Sequence, residues 1–414
     1  MTQRKITIII GLILSLMIIA QNNTNSPYTR YGYGQLEDDC FSRSQAMGST
    51  SIGLRTKNSI NPNNPASYSS LDSTSFIFEM GVSGLLSNFR SAGTQNTSFT
   101  GNLDYIALQS PITKWMGLSA GLIPYSYVGY NYKYTDSLKI SMEDEFNVYD
   151  KTYYGTGGIS QVYLGLSVDI ANHLALGVNG YYMFGNINHY KALSYNQSEL
   201  TTTNTIMKAN LYIRSFNARF GLQYHETIGE KHKLNIGAIY EFRSGMNGKF
   251  EQTTTGTDTL TVNSSSLFET PSLYGGGIMY TYDDRLMIGA DFTLYEYSKA
   301  LYYGKSDTLA NRMKISLGAE YTHDPRGRRY IDRMSWRIGA NYNNSYAKIN
   351  NKQTHNFSIT CGVGLPLRTS KTIINVNFEY GNIGGVSAIL KENYFKFGLN
   401  FSLNETWFVK AKVR

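Results

Sequence analysis

The sequence is poor in cysteine and proline, and each shortage excludes a class of protein. Two cysteines among 414 residues, Cys40 and Cys361, are too few for a disulfide framework, and their separation gives no zinc-site spacing. A single bridge between them stays open only in an oxidising compartment. Eight prolines, with no compositional repeat or charge block, argue against a collagen-like or disordered chain.

Charge and long apolar runs are also scarce. Charged residues make up 16% of the chain, against about a quarter in ordinary globular domains. The formal charge of +8 is dispersed along the whole chain, so it does not predict a nucleic-acid partner. Past residue 20 no run approaches the roughly eighteen consecutive apolar residues of a spanning helix, which excludes a polytopic helical membrane protein.

What the chain has in abundance is glycine and aromatic residues, with 39 Gly, 34 Tyr and 19 Phe. It begins with a pattern typical of a secretory signal: Arg4 and Lys5 precede an apolar stretch over residues 6–19, and Ala20 is a small residue at the expected cleavage point. Residues 1–20 are therefore predicted to be a cleaved signal peptide, and the mature chain to start at Gln21.

From residue 74 onward apolar and polar residues alternate with period 2, which predicts β-strands. In the clearest segment Val162, Leu164 and Leu166 are separated by Tyr163 and Gly165. Segments of ten to fifteen residues exceed the usual five or six of a soluble sandwich and match tilted membrane strands. We count fourteen, near 74–88, 98–111, 115–131, 157–170, 173–187, 205–226, 232–246, 267–283, 285–299, 311–324, 332–347, 353–368, 371–384 and 391–404.

The connections between these segments alternate in length. Short turns follow most even-numbered strands, with 325–331 among the longer ones, and polar loops are predicted around 132–156, 188–204, 247–266 and 300–310. This layout is typical of outer-membrane barrels, in which closure leaves no sheet edge in lipid. The fold class is therefore predicted as all-β: a transmembrane antiparallel β-barrel of about 14 strands over residues 74–404, with an N-terminal plug (residues 21–73) and a periplasmic tail (residues 405–414).

The last predicted strand carries a polar-x-Gly-x-x-apolar-x-apolar pattern at Lys396, Gly398, Phe401 and Leu403. The pattern resembles the terminal signal read by the bacterial barrel-insertion machinery, which is the first expected partner. Aromatic residues near strand ends, such as Trp115 and Trp336, are expected at the lipid headgroups. Localisation in the outer membrane of a Gram-negative cell, among membrane lipids, follows from this reading.

Residues 21–73 lack alternation and are rich in turn chemistry, and a fourteen-strand lumen is wide enough to hold them. Here the sequence resembles the FadL family of outer-membrane transporters for long-chain fatty acids and other hydrophobic compounds. The resemblance lies in an Ala-Met-Gly-x-x element at residues 46–50 and the Asn-Pro-Ala element at residues 64–66, placed before fourteen predicted strands. The richness in Tyr and Asn is similar to that of Bacteroidota members. The resemblance implies a hatch inside the barrel, with hatch or gating residues Asn61, Pro62, Asn64, Pro65 and Ala66.

In that family a kink in the third strand opens a lateral path to the bilayer. The third predicted strand contains Gly121 and Pro124, and proline cannot donate to a sheet ladder, so it needs an edge, a bulge or a break. Both residues are candidates for a lateral opening. The alternative is that the strand has already emerged above the membrane at Pro124.

The inward rows of the predicted strands mix charged and apolar side chains. Ionised groups must point away from lipid, so most of them need no role beyond lining the lumen or anchoring the plug. The charged members are Glu79, Asp169, Glu241, Arg243, Asp291, Lys314, Glu320, Arg337 and Glu379. The candidate lumen-lining residues for an apolar ligand are Ile77, Tyr163, Tyr181, Met183, Ile239 and Tyr295.

No catalytic motif fits its required context. Residues 117–121 match the Gly-x-Ser-x-Gly esterase elbow, but that motif needs a helix after the serine, and strand pattern continues on both sides of Ser119. The six histidines show no ligand spacing. We therefore expect a non-enzyme without cofactor or metal.

The sequence leaves two candidate functions open. The first is an outer-membrane channel for passive uptake of small hydrophobic molecules such as long-chain fatty acids. The second is a non-transporting scaffold or accessory barrel of an outer-membrane protein assembly, serving secretion or biogenesis, with an outer-membrane protein as partner. The resemblance also implies the second function, because related Bacteroidota proteins include a carrier subunit of a protein-secretion system. The long polar loops and the extra C-terminal tail favour it as well.

Overall fold

The computed structural model describes residues 23–91, 93–139, 146–195, 205–256, 259–367, 371–384 and 390–407. The expected signal peptide, residues 1–20, lies outside them. Fourteen long strands alternate along the chain: β1 Ser75–Ser91, β2 Thr94–Thr113, β3 Met116–Lys139, β4 Phe146–Ala171, β5 Leu174–Tyr195, β6 Thr205–Ile228, β7 His232–Glu241, β8 Leu273–Tyr282, β9 Leu286–Tyr295, β10 Arg312–Thr322, β11 Ser335–Ile349, β12 Lys352–Pro366, β13 Ile373–Ile383 and β14 Leu390–Thr406.

The strands form one closed antiparallel sheet. Each pairs with its neighbours in sequence, β7 pairs with β8 across the longest loop, and β14 pairs with β1 from Thr406↔Ser75 to Leu390↔Ser91. The sheet therefore closes on itself, and the predicted fourteen-stranded antiparallel β-barrel is confirmed.

Strand alternation places apolar side chains outside and polar ones inside. On β10, Met313, Ile315 and Leu317 are 46–55% exposed, whereas Lys314 and Ser316 between them are buried. A continuous apolar outer surface of this kind is stable only against lipid. No helix within the described ranges is long and apolar enough to span a membrane.

Several predicted loops contain strands, which corrects the sequence reading. β3 and β4 run on through the predicted 132–156 loop to Lys139 and from Phe146, and β5 reaches Tyr195. Within 247–266, Gly248–Thr254 pairs with β6 and with Leu260–Asn263. These extensions carry Thr, Tyr and Lys on both faces, so they lack the apolar alternation that lipid imposes on the spanning parts.

The predicted eighth strand is too long at its start. It begins at Leu273 rather than at residue 267, because Pro271 cannot donate to the ladder. Two residues before it, Glu269–Thr270 pairs instead with Ser244–Gly245 in a separate two-stranded sheet. Short 3-10 helices at Ser264–Ser266, Tyr297–Lys299 and Ile331–Arg333 complete the connections.

The N-terminal segment, defined here as residues 23–73, lies inside the barrel. It contains 3-10 helices at Pro27–Arg30 and Pro65–Ser70, a short α-helix at Ser42–Gln45, and a two-residue strand, Gln35–Leu36, that pairs with β3. Its side chains are mostly buried against inward-facing residues of the wall.

The last strand runs to Thr406, two residues beyond the predicted barrel boundary. Trp407 follows, and its ring stacks on Phe76 of β1 with the centroids 4.2 Å apart. The chain enters β1 and leaves β14 at the same end of the barrel as the turns at 114–115, 172–173, 229–231 and 283–285. In outer-membrane barrels this is the periplasmic end.

Candidate functional site

Inward-facing glycines of the wall give the N-terminal segment room. A Cβ at Gly177 would lie 2.3 Å from the carbonyl carbon of Pro65, and one at Gly237 would lie 2.1 Å from the oxygen of Ile52. No real side chain fits at such distances, so glycine is required where two backbones meet. The same close approach to the segment occurs at Gly117, Gly221, Gly277, Gly318, Gly339 and Gly362.

The proposed gating residues are buried at these contacts. The Asn64 side chain caps the Pro65–Ser70 helix by accepting from the Ala66 N–H at 3.2 Å, and it donates to the carbonyls of Ile52 (2.8 Å) and Leu222 (3.2 Å). One asparagine therefore fixes a helix start, a neighbouring turn and the wall together.

Asn61 and Pro62 are also held by hydrogen bonds. Asn61 donates to the carbonyls of Ser51 at 2.7 Å and Leu54 at 2.9 Å. Asn179 of β5 donates to the Pro62 carbonyl at 2.8 Å. Pro62, Pro65 and Ala66 are themselves buried. All five residues thus hold the segment's own turns or join it to the wall.

A buried ion cluster joins the segment to β6 and β7. The Arg219 guanidinium lies 2.7 Å from an Asp39 carboxylate oxygen and 2.9 Å from one of Glu241, and it donates to the Asn63 side chain at 3.1 Å. All three charged side chains are at most 10% exposed. Burial raises the pKa of Asp39, with Arg219 acting in the opposite direction.

Four further groups of charged residues anchor the segment at other parts of the circumference. Asp38 pairs with Lys314 and lies 3.5 Å from Arg312 of β10. Burial raises the pKa of Asp38, but these cations outweigh it and leave the pKa well below its usual range. The other contacts that join the segment to the wall by charge are Arg43 to Glu320, itself paired with Arg337 at 2.6 Å, Arg55 to Asp169 at 2.9 Å, and Glu37 to Lys396 at 3.5 Å.

Two wall carboxylates bind backbone N–H groups of the segment. Asp291 accepts from Ser51 at 2.6 Å and from Ile52 at 2.8 Å, and Glu79 accepts from Ile60 at 3.1 Å. Most charges predicted to face inward therefore contact the N-terminal segment or a residue paired with it. Arg243 differs: it lies beyond the end of β7 and donates to the Lys299 carbonyl.

The candidate lining residues point inward but contact protein. Ile77, Tyr163, Tyr181 and Met183 are buried in one core cluster that also contains Tyr68 and other residues of the N-terminal segment. Ile239 packs with Ile52, and Tyr295 contacts the same cluster. These side chains form the packing surface of the segment.

The wall has one interruption near Pro124. β2 and β3 pair only from Thr113↔Met116 to Ile106↔Leu122, and the ladder between β3 and β4 has a bulge between Pro124 and Ser126. Above this point, residues 94–105 of β2 pair with β1 only. We call the stretch in which residues 94–105 and residues 123–139 are not paired the wall slot. The N-terminal segment bonds to its edge, where Asn25 donates to the Ser98 hydroxyl at 2.6 Å and Asn102 donates to the Asn23 carbonyl at 3.0 Å. Gly121 lies at its lower end, facing Tyr163 and the Ile106 carbonyl.

The N-terminal segment lies behind the wall slot. Gln35 and Leu36 pair with Tyr127 and Ser126 of β3, and the Glu37 N–H donates to the Tyr125 carbonyl at 3.0 Å. Immediately inside, the Lys396 ammonium lies 3.5 Å from Glu37 and 3.7 Å from Asp104. The inner side of the slot is therefore charged, and a neighbouring cavity of about 90 Å³ is lined mainly by Asn, Gln and ionised residues.

A larger cavity of about 310 Å³ opens at the loop end of the barrel. Tyrosines from the β3–β4 hairpin and the 302–303 turn line it together with Lys191 and Lys348. The Arg30 guanidinium lies over the Tyr153 ring, 3.7 Å from its centroid. Aromatic walls with several cations, and with no carboxylate among the described lining residues, suit an apolar or anionic ligand.

Chemistry at other candidate residues has a structural explanation. Ser119 lies within β3, where its hydroxyl donates to the Leu108 carbonyl at 2.9 Å and contacts the Tyr163 hydroxyl. Among the described residues no group of His, Cys, Asp and Glu is arranged to hold a metal ion. Cys40 is buried and Cys361 exposed, and both are free thiols.

Sequence reasoning missed the contacts that anchor the segment, Arg219, Asp38 and Asp39 among them. The inward glycines carried a usable signal, because they recur at inward positions of successive strands, where a lumen filled by wall side chains would place larger residues.

Solved structures share this architecture. The Ralstonia pickettii toluene transporter TbuX has a TM-score of 0.60 at 14% identity, covering 88% of this chain and 98% of that chain. The Pseudomonas putida toluene transporter TodX gives 0.59 at 14%, with 90% and 100% covered. A Pseudomonas aeruginosa FadL homologue gives 0.53 at 11%, with 90% and 98% covered. The chain thus has the FadL-like fold of outer-membrane barrels, as the sequence predicted.

Comparison of sequences assigns the chain to a narrower family than comparison of folds does. A search of curated proteins finds no match. A family model described as BamG matches residues 1–414. The chain therefore belongs to the BamG family.

Proposed function

We propose that this protein is a non-transporting accessory barrel of an outer-membrane protein assembly. The observation that carries the proposal is the way the N-terminal segment is fixed: buried ion clusters on β6–β7, β10–β11, β4 and β14 hold it, and inward glycines contact its backbone between them. A barrel filled in this way offers a rigid body rather than a passage.

The free energy needed to displace the N-terminal segment favours an accessory barrel over a gated channel. Breaking one buried ion pair by removing a partner costs about 3–5 kcal/mol. Displacing the segment would break several charged contacts at once, of which the Arg219 cluster is at most 10% exposed, so the total cost is comparable with the roughly 5–15 kcal/mol that stabilises a whole domain. A gate that opens on binding one small molecule has far less free energy to draw on.

The same proposal includes the location of the protein. Residues 1–20 would direct export and be cleaved, the pattern at Lys396, Gly398, Phe401 and Leu403 would be read by the insertion machinery, and the apolar outer surface would contact outer-membrane lipids. Residues 405–414 would face the periplasm. The Tyr- and Asn-rich composition supports a Bacteroidota-type member. No enzyme activity or cofactor is part of the role.

Affinity purification from native membranes in mild detergent tests this role. We expect a protein partner at fixed stoichiometry that is absent when an unrelated tagged outer-membrane barrel of the same host is purified in parallel. Recovery of the barrel alone, across several mild detergents and after chemical cross-linking in cells, would contradict the assembly role.

A second candidate function is passive uptake of small hydrophobic molecules. The aromatic cavity of about 310 Å³ and the wall slot near Pro124 and Gly121 favour it, and neighbours of the same fold are toluene transporters and a monoaromatic hydrocarbon channel. A ligand would enter at the cavity and leave either through the wall near Pro124 or past the N-terminal segment, where the contacts of Asn64 and Pro65 would gate it. The charged group of Glu37, Lys396 and Asp104 behind the slot opposes apolar passage.

Uptake of radiolabelled toluene, and of a long-chain fatty acid, by cells with and without the protein tests the second candidate. Ala209 lines the cavity, so Ala209→Trp would fill it and lower uptake if the route is used. Equal uptake by the deletion strain, the wild type and Ala209→Trp would exclude the channel for these compounds.

A further inference from the structure

The connection between β10 and β11 is the longest at the periplasmic end. It spans residues 323–334, whereas residues 367–372 join β12 to β13, and 114–115, 172–173, 229–231 and 283–285 are turns of two or three residues. Its sequence, His-Asp-Pro-Arg-Gly-Arg-Arg-Tyr-Ile-Asp-Arg-Met, contains four arginines and two aspartates. We call residues 323–334 the basic turn.

The basic turn is held in a defined shape by its own backbone. The Asp324 N–H donates to the Asp332 carbonyl at 2.8 Å, which closes the base of the turn. The Gly327 N–H donates to the Asp324 carbonyl at 3.0 Å, and the Arg326 N–H donates to the Asp324 carboxylate at 3.0 Å. A 3-10 helix, Ile331–Arg333, leads back into β11. The side chains are therefore presented from an ordered backbone.

The basic turn exposes both basic and apolar side chains. Arg326, Arg328 and Arg329 are exposed, and within the described ranges none of them takes part in a salt bridge. Next to them Tyr330 is 44% and Ile331 68% exposed. Arginine and tyrosine around an aliphatic residue are the composition found at the centres of protein interfaces.

The basic turn lies beyond the lipid-facing part of the β10–β11 hairpin. Tyr321 and Trp336, at the ends of β10 and β11, are 46% and 53% exposed on the outer face, as expected of residues at the headgroup level. The basic turn lies beyond both of them along the chain. Its charge and its exposed Ile331 are thus directed at the periplasm.

We infer that the basic turn is the docking surface for an acidic periplasmic segment of a partner protein, which seats an apolar residue against Ile331 and Tyr330 and pairs its carboxylates with Arg326, Arg328 and Arg329. Charge complementarity selects this occupant, because unpaired guanidinium groups form forked hydrogen bonds with carboxylates. The inference rests on the proposed assembly role and names the chemistry of the partner.

Photo-cross-linking in the native host tests the surface. A benzoylphenylalanine replaces Ile331 in the full-length protein, and a control replaces Ile228, which is 57% exposed beside the 229–231 turn. We expect a protein adduct at position 331 but not at 228, with the contacted peptide, identified by mass spectrometry, rich in Asp and Glu. Arg326→Glu, Arg328→Glu and Arg329→Glu together should lower the adduct at least tenfold, and acid-to-Lys changes in the contacted peptide should restore it.

Four other outcomes would refute the proposal that the basic turn is a docking surface. These outcomes are a phospholipid adduct alone, no adduct, a contacted peptide without acidic residues, or an adduct unaffected by the charge reversal. Heat-dependent migration of every variant on gels confirms that the barrel is folded. If the wild type still copurifies with a partner while the adduct fails these criteria, only the surface is wrong. If no partner copurifies at all, the assembly role itself fails.

Discussion

Removing the Arg219 guanidinium should loosen the N-terminal segment by a large and specific amount. In Arg219→Met the carboxylates of Asp39 and Glu241 remain, 9% and 10% exposed and without their shared cation. Leaving buried charges unpaired costs about 3–5 kcal/mol, whereas replacing a whole cluster by neutral groups is nearly neutral. The triple variant Asp39→Asn, Arg219→Met, Glu241→Gln should therefore stay close to the wild type.

Amide hydrogen exchange of residues 37–41, read by mass spectrometry, measures this loosening. Every 1.4 kcal/mol is tenfold, so protection in Arg219→Met should fall by roughly 10²–10³-fold or more. The deficit should shrink at pH 5 relative to pH 8, because burial raises the pKa of Asp39 and a protonated Asp39 needs no cation. Wild-type protection in the single variant, or greater loosening in the triple variant, would refute the reasoning.

Three further predictions test the packing. Gly177→Val should destabilise the barrel by about 1–3 kcal/mol through overpacking, while Gly276→Val, where a Cβ meets nothing within 4 Å, should not, as thermal unfolding in detergent will show. In a Cys361→Ser background, a maleimide should not label Cys40 in the folded barrel but should label it after heating in SDS, because the thiol is buried and burial raises its pKa to about 12; labelling of Cys40 in the folded state contradicts the buried site. Trp407→Ala should lose about 0.5–1.5 kcal/mol with its ring stack, and an unchanged unfolding temperature would place that ring elsewhere.

Period-2 alternation was sufficient to predict the barrel because lipid imposes one physical rule on every spanning residue. Val162 and Leu164 point out and Tyr163 points in for that reason. Lipid imposes no such alternation on residues outside the membrane. The sequence therefore predicts loops where β3, β4 and β5 extend as strands. Pro271 carries the information that shortens β8, because its missing N–H ends the ladder.

The contacts of the N-terminal segment were beyond sequence reasoning for a different reason. Asp39 and Arg219 are far apart in the chain, and nothing local to either residue indicates its partner. The Asn64-Pro65-Ala66 element was identified from the sequence by its resemblance to the FadL family, and the structure shows that Asn64 caps the Pro65–Ser70 helix. The bulge at Pro124 follows from the missing N–H, but the charged group nearby depends on Glu37 and Lys396 meeting across the lumen.

The most direct test of the account is to lock the N-terminal segment to the wall. Ala46 and Gly362 are close enough that a Cβ on Gly362 would lie 2.7 Å from that of Ala46, and a relaxation of roughly 1 Å admits a disulfide. In a background with Cys40→Ser and Cys361→Ser, the oxidised Ala46→Cys, Gly362→Cys barrel should retain its copurifying partner and fully complement a deletion strain. Complementation that is lost on oxidation and returns on reduction would show that the segment moves in function, and would contradict a fixed accessory barrel.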